Sequence, residues 1–139
     1  MIAKEAETWI GTPFQWQACV KGVGVDCKGL IAGVARVCGR PEADSLEAMS
    51  ADYGNTVPAA RLKAGLARLF DRAETIQSGD VLLLIIGGKA QHLAIAAPID
   101  GQPSRTIQAL HCGPKQVVAI RQPRATIDSI WRWRDYACP

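Results

Sequence analysis

A hairpin signal in the second half of the chain constrains the fold more than any other feature. Residues 81–86 (VLLLII) form an apolar run, Gly87-Gly88 follows, and residues 92–97 (HLAIAA) form a second apolar stretch. Two such runs joined by a glycine pair are typical of antiparallel strands with a tight turn. This segment therefore predicts the centre of an antiparallel sheet.

Three further segments have the character of strands. Residues 105–110 and 116–121 are apolar and β-branched enough to extend the sheet. The alternation at 130–134 (IWRWR) predicts a last strand, with a short helix as the alternative. The second half of the chain therefore predicts a sheet of several strands.

Helical periodicity is confined to the first half. A helix is predicted over 27–38, because the apolar residues after Cys27 recur at helical spacing, Asp26 is a good N-cap type and Gly39 a good stop. A second helix is predicted over 58–70. Residues 14–25 and 42–57 are interpreted as loops, the latter with at most a short helical turn. Helices before an antiparallel sheet predict the α+β class.

Length and composition predict one ordinary globular domain spanning residues 1–139. The chain is 48% hydrophobic and carries a net charge of +3. Its longest apolar run, 81–86, is too short to cross a membrane, and the charged segment 2–9 does not resemble a signal peptide. We therefore expect synthesis in the cytoplasm without a signal peptide, and no membrane insertion.

The positive charge has two interpretations. Basic residues are spread thinly except near the end of the chain, and such a cluster could favour an anionic partner such as cell wall or nucleic acid. A solvated basic surface is the favoured interpretation. Aromatic residues make up only 6% of the chain, so no stacking platform for single strands is visible and no nucleic-acid partner is expected.

The cysteines indicate free thiols rather than a disulfide framework or a metal site. Five cysteines cannot all pair within one chain, no CxxC motif is present, and only two histidines are available. A structural zinc site is therefore poorly supported, and no metal is expected. The set suggests a reduced protein with one special thiol. The five are Cys19, Cys27, Cys38, Cys112 and Cys138.

Cys27 is the cysteine predicted to open a helix. Unpaired backbone N–H groups at a helix start carry partial positive charge, which favours a thiolate and can hold an oxyanion. The ordinary interpretation of a lone buried cysteine is a small core residue. A nearby base is needed to favour catalysis.

His92 is the candidate base, because it opens the second strand of the hairpin. Strand alternation places it on one face with Ala94 and Ala96. A thiol and an imidazole on a helix start and a neighbouring strand form the nucleophile and base of a thiol hydrolase. The residue that orients the imidazole is predicted to be Gln108, with His111 as the alternative.

Several motifs resemble those of NlpC-type cell-wall cysteine peptidases, which are papain-like enzymes. They are GTPFQWQACVKGVGVDCKGL (11–30) with its Asp-Cys-x-Gly-Leu core, Gly79-Asp80 before a strand, QHLAIAA (91–97) and IQAL (107–110). The resemblance extends from Trp9 to about Val118 and is closest to the small versions carried by tailed phages and gene transfer agents.

The resemblance implies a fold, a reaction and a setting. It implies a papain-like domain without a cofactor that cuts peptidoglycan stem peptides, at the bond between D-glutamate and the diamino acid, through Cys27, His92 and Gln108. It also implies association with a phage or gene transfer agent tail, and hence with tail proteins, for wall penetration. The alternatives are a structural or binding component of a tail on the same scaffold, and an amidase or acyl-transfer enzyme using the same dyad.

Three residues depart from the family pattern. Relatives commonly have tyrosine at Phe14, so a hydrogen bond to the oxyanion or substrate is expected instead from Gln15, Gln17 or backbone near Asp26. Lys28 replaces a small or apolar residue, and its charge would favour the thiolate. Gln108 stands where histidine is common, which gives a neutral orienting dipole.

Overall fold

The computed structural model describes residues 1–53 and 58–135. The helices belong to the first half of the chain, and they are α1 (Ile2–Glu7), α2 (Cys27–Val37), α3 (Ala43–Tyr53) and α4 (Ala59–Leu69). Two short strands form a separate hairpin before α2, and they are β1 (Cys19–Val20) and β2 (Gly24–Val25). The strands of the main sheet are β3 (Phe70–Ala73), β4 (Val81–Ile86), β5 (Lys89–Ala96), β6 (Arg105–Ala109), β7 (Val117–Arg121) and β8 (Ile127–Trp133).

The main sheet is antiparallel throughout. Within the described ranges its order is β3-β8-β4-β5-β6-β7, so the central hairpin β4-β5 is flanked by the last strand on one side and by β6 on the other. The hairpin turns at Gly87 and Gly88, which both have positive φ (60° and 79°). The predicted α+β class and the central hairpin are confirmed.

Helix α2 lies in the middle of the molecule. Every residue from Cys27 to Ala35 is buried, so the helix is enclosed rather than amphipathic over its first turns. The sheet covers one side and α3 covers another. Its start contributes Cys27 to a cleft that β5 also lines, while its length contributes to the main hydrophobic core.

The prediction of a loop over 42–57 is wrong for the part that the structure describes. Helix α3 occupies Ala43–Tyr53, and residues 54–57 lie outside the described residues. Its buried apolar side chains are few, and acidic residues interrupt them, so the apolar pattern is weak. Packing of Leu46 and Met49 against the core stabilises a helix that periodicity alone does not reveal.

Element boundaries also differ from the predictions. Helix α4 ends at Leu69, and Phe70 begins a strand that was not predicted. This strand pairs with β8, and the rings of Phe70 and Trp133 meet edge to face at 4.8 Å. β8 begins at Ile127, and the segment from 130 is strand rather than helix. The predicted loop at 14–25 contains the β1-β2 hairpin.

The two faces of the sheet carry separate clusters. Leu93 and Ile95 belong to the main core, whereas Ala94 and Ala96 belong to a second cluster on the opposite face. The predicted alternation along β5 is therefore confirmed. The same alternation places His92 on the face of the second cluster, because His92 pairs with Leu84 of that cluster.

The Gly-Asp motif before β4 has a structural role. The Asp80 carboxylate is buried and accepts hydrogen bonds from Arg132 at 2.9 and 3.1 Å. It also accepts one from the Gln77 backbone N–H at 2.8 Å. These bonds join the start of β4 to β8.

In the ranges 1–53 and 58–135, no helix has the length and apolar character needed to cross a bilayer.

We predict that Gly33→Ala destabilises the protein, although alanine usually stabilises a helix by about 1 kcal/mol relative to glycine. A Cβ at Gly33 would lie 2.2 Å from Cη2 of Trp9, whose indole is held by a hydrogen bond to Glu5. Overpacking of this kind costs about 1–3 kcal/mol. Urea unfolding measures the change.

A double-mutant cycle identifies the cause. In Trp9→Leu the clashing ring is gone, so Gly33→Ala should cost less in that background than in the wild type. An increase in the free energy of unfolding for Gly33→Ala alone would contradict the prediction.

Candidate active site

Asp26 fixes the start of α2. Its carboxylate accepts hydrogen bonds from the backbone N–H groups of Gly29 at 2.6 Å and Gln17 at 2.9 Å, and from the Ser50 hydroxyl at 2.8 Å. The first is the N-cap bond expected for a residue in this position. Because Cys27 directly follows Asp26, these bonds also fix the position of the thiol.

The glycine after Cys27 allows the preceding loop to approach the helix. A Cβ at Gly29 would lie 2.2 Å from the backbone oxygen of Ala18. The same oxygen accepts the Asp26 backbone N–H at 3.2 Å. The Asp-Cys-x-Gly spacing therefore packs the loop tightly against the helix start.

The electrostatics of Cys27 are set by opposing influences. Burial raises the pKa of the thiol, and the charge of Asp26 acts in the same direction. A hydrogen bond to His92, the charge of His92 and the charge of Lys28 lower it. The lowering influences prevail, so the pKa of Cys27 lies below that of an ordinary thiol.

His92 meets Cys27 from the sheet. It lies on β5, pairs with Leu84 across the hairpin, and is buried. Its Nε2 is 3.0 Å from Oε1 of Gln108 on the neighbouring strand β6. The other ring nitrogen, Nδ1, is thereby left for the thiol of Cys27.

The structure places Gln108, not His111, against the His92 ring. Gln108 is buried inside β6, whereas His111 lies beyond the end of that strand and is exposed. The His111 ring centroid is 5.2 Å from that of Trp16 and 5.7 Å from that of Phe14. Its Nε2 is 3.2 Å from the Cys112 sulfur.

A cleft of about 340 Å³ opens above the thiol and the imidazole. One side of it is aromatic, because Phe14, Trp16 and His111 form a contiguous group there. Cys27, Lys28 and His92 line the same cleft, although all three residues are largely buried. The remaining lining residues in the described ranges are Ile86, Gln91, Leu110 and Cys112.

The described lining of the cleft does not include Gln15, Gln17 or Asp26. The Gln15 side chain packs against Gly24. Gln17 is exposed and has a left-handed φ of 60°, with its backbone N–H bonded to Asp26. The Asp26 carboxylate is bonded to the helix start and to Ser50. Of the four residues predicted on the oxyanion or substrate side, the described lining of the cleft includes only Phe14.

Phe14 is positioned by its backbone. Its N–H donates to the Lys115 carbonyl at 2.8 Å, and it forms a parallel bridge with Val25 just before the α2 cap. The Gly-Thr-Pro-aromatic motif thus connects the loop before β7 to the helix start and supplies one wall of the cleft.

The other described cysteines differ from Cys27. Burial, with a smaller contribution from Glu47, raises the pKa of Cys19 to about 11. Burial also raises the pKa of Cys38. The four cysteines within the described ranges are free thiols, and Cys138 lies outside those ranges. In the same ranges, no group of three or more Cys, His, Asp and Glu side chains has the arrangement of a metal site.

Several residues near the site were not predicted. Trp16 lies within the motif that was recognised, and its exposure in a cleft has no sequence signal. Thr106 could have been found, because it lies two residues before Gln108 on the same face of β6. Gln122 follows β7 and reaches Gln108 only through the pairing of β6 with β7.

Comparison with solved structures supports the fold. No protein-family model matches the sequence, and no curated protein matches it significantly. The NlpC/p60 domain of peptidoglycan hydrolase SagA is 24% identical over 94% of each chain, with a TM-score of 0.59. NlpC2 from Trichomonas vaginalis is 15% identical, over 95% of this chain and 45% of that one, with a TM-score of 0.65. The P60 domain of M. avium subspecies paratuberculosis antigen MAP1204 is 15% identical, over 97% and 93%, with a TM-score of 0.58.

These similarities define the class of fold. The chain has the papain-like α+β fold of NlpC/p60 domains, with helices packed on an antiparallel sheet. Fold alone does not determine activity, so the function is argued from the site.

We predict that Cys27 is alkylated by iodoacetamide near pH 6, ahead of the other thiols, because its pKa is lowered while the pKa of Cys19 and that of Cys38 are raised. Peptide mapping by mass spectrometry after a short exposure measures the modification of each cysteine. Equal modification of all cysteines would contradict the prediction.

The pH profile of this alkylation tests the role of His92. In His92→Ala the burial of Cys27 remains while the lowering influence of the imidazole is lost. The pH at which Cys27 becomes reactive should therefore rise above the range of an ordinary thiol. The control is Gln102→Met in the β5-β6 turn, for which the profile should not change.

Proposed function

We propose that this protein is a cysteine peptidase that hydrolyses peptidoglycan stem peptides. The observation that carries the proposal is the thiol of Cys27, held at a helix start and hydrogen-bonded to an imidazole that is itself bonded to an amide. The similarity to the NlpC/p60 domain of a peptidoglycan hydrolase supports the substrate class.

In this proposal Cys27 and His92 form an ion pair before attack. The sulfur attacks the carbonyl carbon of the peptide bond, and a C–S bond forms as the carbonyl oxygen gains negative charge. His92 then gives a proton to the leaving nitrogen and the C–N bond breaks, which leaves a thioester. His92 next takes a proton from water, the hydroxide displaces the sulfur, and the acid product leaves.

The oxyanion is assigned to backbone donors at the start of α2, the N–H of Cys27 among them. The phenyl ring of Phe14 in the cleft cannot donate a hydrogen bond, and the side chains of Gln15 and Gln17 are elsewhere. Backbone N–H groups at a helix start are already oriented, so they stabilise developing negative charge without reorganisation.

We also propose the finer features that the family resemblance implies. The bond cut is the one between D-glutamate and the diamino acid, and the enzyme acts on the wall as part of a phage or gene transfer agent tail. Copurification with tail particles, measured by mass spectrometry of purified virions, tests this setting.

Replacing Cys27 by alanine tests the proposed activity. We predict that Cys27→Ala abolishes hydrolysis of purified peptidoglycan, because His92 acts on the Cys27 thiol, whereas the other cysteine that lines the cleft, Cys112, lies against His111. The melting temperature should stay within a few degrees of the wild type, because the change removes one small buried atom. Release of soluble muropeptides measures the activity, and full activity in the variant would refute the proposal.

Product analysis separates the proposal from its alternatives. An endopeptidase cuts within the stem peptide, whereas an amidase frees intact stem peptides from the sugar. If the wild type releases neither product but still sediments with peptidoglycan, the protein is a binding component on a peptidase scaffold. Mass spectrometry of the soluble fraction distinguishes the three outcomes.

A further inference from the structure

A chain of side-chain hydrogen bonds continues beyond Gln108, away from the cleft. The Gln108 Nε2 donates to Thr106 Oγ1 and to Gln122 Oε1, both at 2.8 Å. The Gln122 Nε2 in turn donates to Thr126 Oγ1. His92, Gln108 and Thr106 are buried, and Gln122 and Thr126 are half-buried.

The direction of these bonds is fixed by two hydroxyl groups. A threonine hydroxyl has a single proton to donate. Thr106 donates that proton to the Ile120 carbonyl at 2.8 Å, and Thr126 donates to the Pro123 carbonyl at 2.7 Å. Each hydroxyl can therefore only accept from the amide it faces.

These two hydroxyl groups determine how both amides are turned. The Gln122 NH₂ group must face Thr126, which leaves Gln122 Oε1 for Gln108. The Gln108 NH₂ group must face Thr106 and Gln122, which leaves Gln108 Oε1 for His92. A reversed Gln108 amide would set its oxygen against two acceptors.

The orientation of Gln108 selects the tautomer of His92. Because Gln108 Oε1 only accepts, the proton of a neutral His92 ring must be on Nε2. Nδ1 is then unprotonated and is the ring nitrogen left to accept the proton of Cys27, which is hydrogen-bonded to His92. The opposite tautomer would place a proton between Nδ1 and the thiol and an unpaired acceptor against Gln108.

We propose that Gln122, supported by Thr106 and Thr126, is a positioning residue that holds His92 in the tautomer able to accept the proton of Cys27. This inference rests on the proposed function of Cys27 and His92. Gln122 does not line the cleft, so it acts through Gln108 and not on the substrate. Its backbone N–H donates to the Ser104 carbonyl at 2.9 Å, so its place after β7 is held independently of its side chain.

The first test compares two substitutions at one position. Gln122→Met fills the same space without an acceptor for Gln108, whereas Gln122→Glu keeps the acceptor oxygen. We expect Gln122→Met to lower kcat about tenfold with KM unchanged, which corresponds to the loss of one buried hydrogen bond. Gln122→Glu should stay within about threefold of the wild type, because the bond from Gln108 is retained and the Thr126 hydroxyl can turn its proton from the Pro123 carbonyl to the second carboxylate oxygen.

The second test observes the tautomer directly. Long-range ¹⁵N–¹H NMR of the imidazole, in a Cys27→Ala background, reports which ring nitrogen carries the proton, and His111→Gln identifies the His92 signal. We expect the proton on Nε2 alone when Gln122 is present and in Gln122→Glu. In Gln122→Met we expect a mixture of the two tautomers. Thr126→Val serves as a second variant if Gln122→Met does not fold, and it should shift the mixture in the same direction. Gln102→Met is the control and should leave kcat and the tautomer unchanged.

The outcomes separate the two proposals. A pure Nε2–H signal in Gln122→Met, or equal loss of kcat in the Met and Glu variants, would overturn the positioning role. Hydrolysis by Cys27→Ala would overturn the proposed function, and the NMR result would still decide whether Gln122 controls the ring.

Discussion

The site depends on one buried carboxylate. Asp26 accepts hydrogen bonds from the start of α2, from the preceding loop at Gln17 and from Ser50 on α3. Three separate segments of the chain therefore meet at one carboxylate. A buried carboxylate requires such partners, since an unpaired charge away from water is costly. The bonds that satisfy Asp26 therefore also fix the backbone of Cys27, the next residue, relative to the cleft.

The carboxylate that fixes the helix start also works against ionisation of the Cys27 thiol. Burial of the helix start and, to a smaller extent, the charge of Asp26 raise the pKa of Cys27, so the helix start alone does not produce the lowered value. The imidazole of His92, brought by the sheet, and the charge of Lys28 reverse the balance. The chemistry of the thiol thus depends on packing between α2 and β5, and not on either element alone.

The sequence was most informative where structure is local. The β4-β5 hairpin, the start of α2 and the face of β5 that carries His92 follow from turn chemistry, capping and alternation. Helix α3 could not be predicted, because its stability comes from packing on α2. The helical spacing of apolar residues after Cys27 indicates one buried face of α2, whereas α3 covers another side of that helix. The choice between Gln108 and His111 stayed open because it depends on where β6 ends, which the alternation of apolar residues does not determine.

The ring of Phe14 has no hydroxyl group, where the family resemblance leads us to expect tyrosine, and this changes what the cleft can offer a substrate. Phe14, Trp16 and His111 form an aromatic wall whose neighbouring ring centroids are 4.8–5.7 Å apart, and the residues beside it include Ile86 and Leu110. A substrate covering this wall would exclude water from the thiol and the helix start, and backbone donors act more strongly on an oxyanion when water is excluded. In the proposed mechanism the wall therefore compensates for the missing hydroxyl by strengthening the backbone donors that remain.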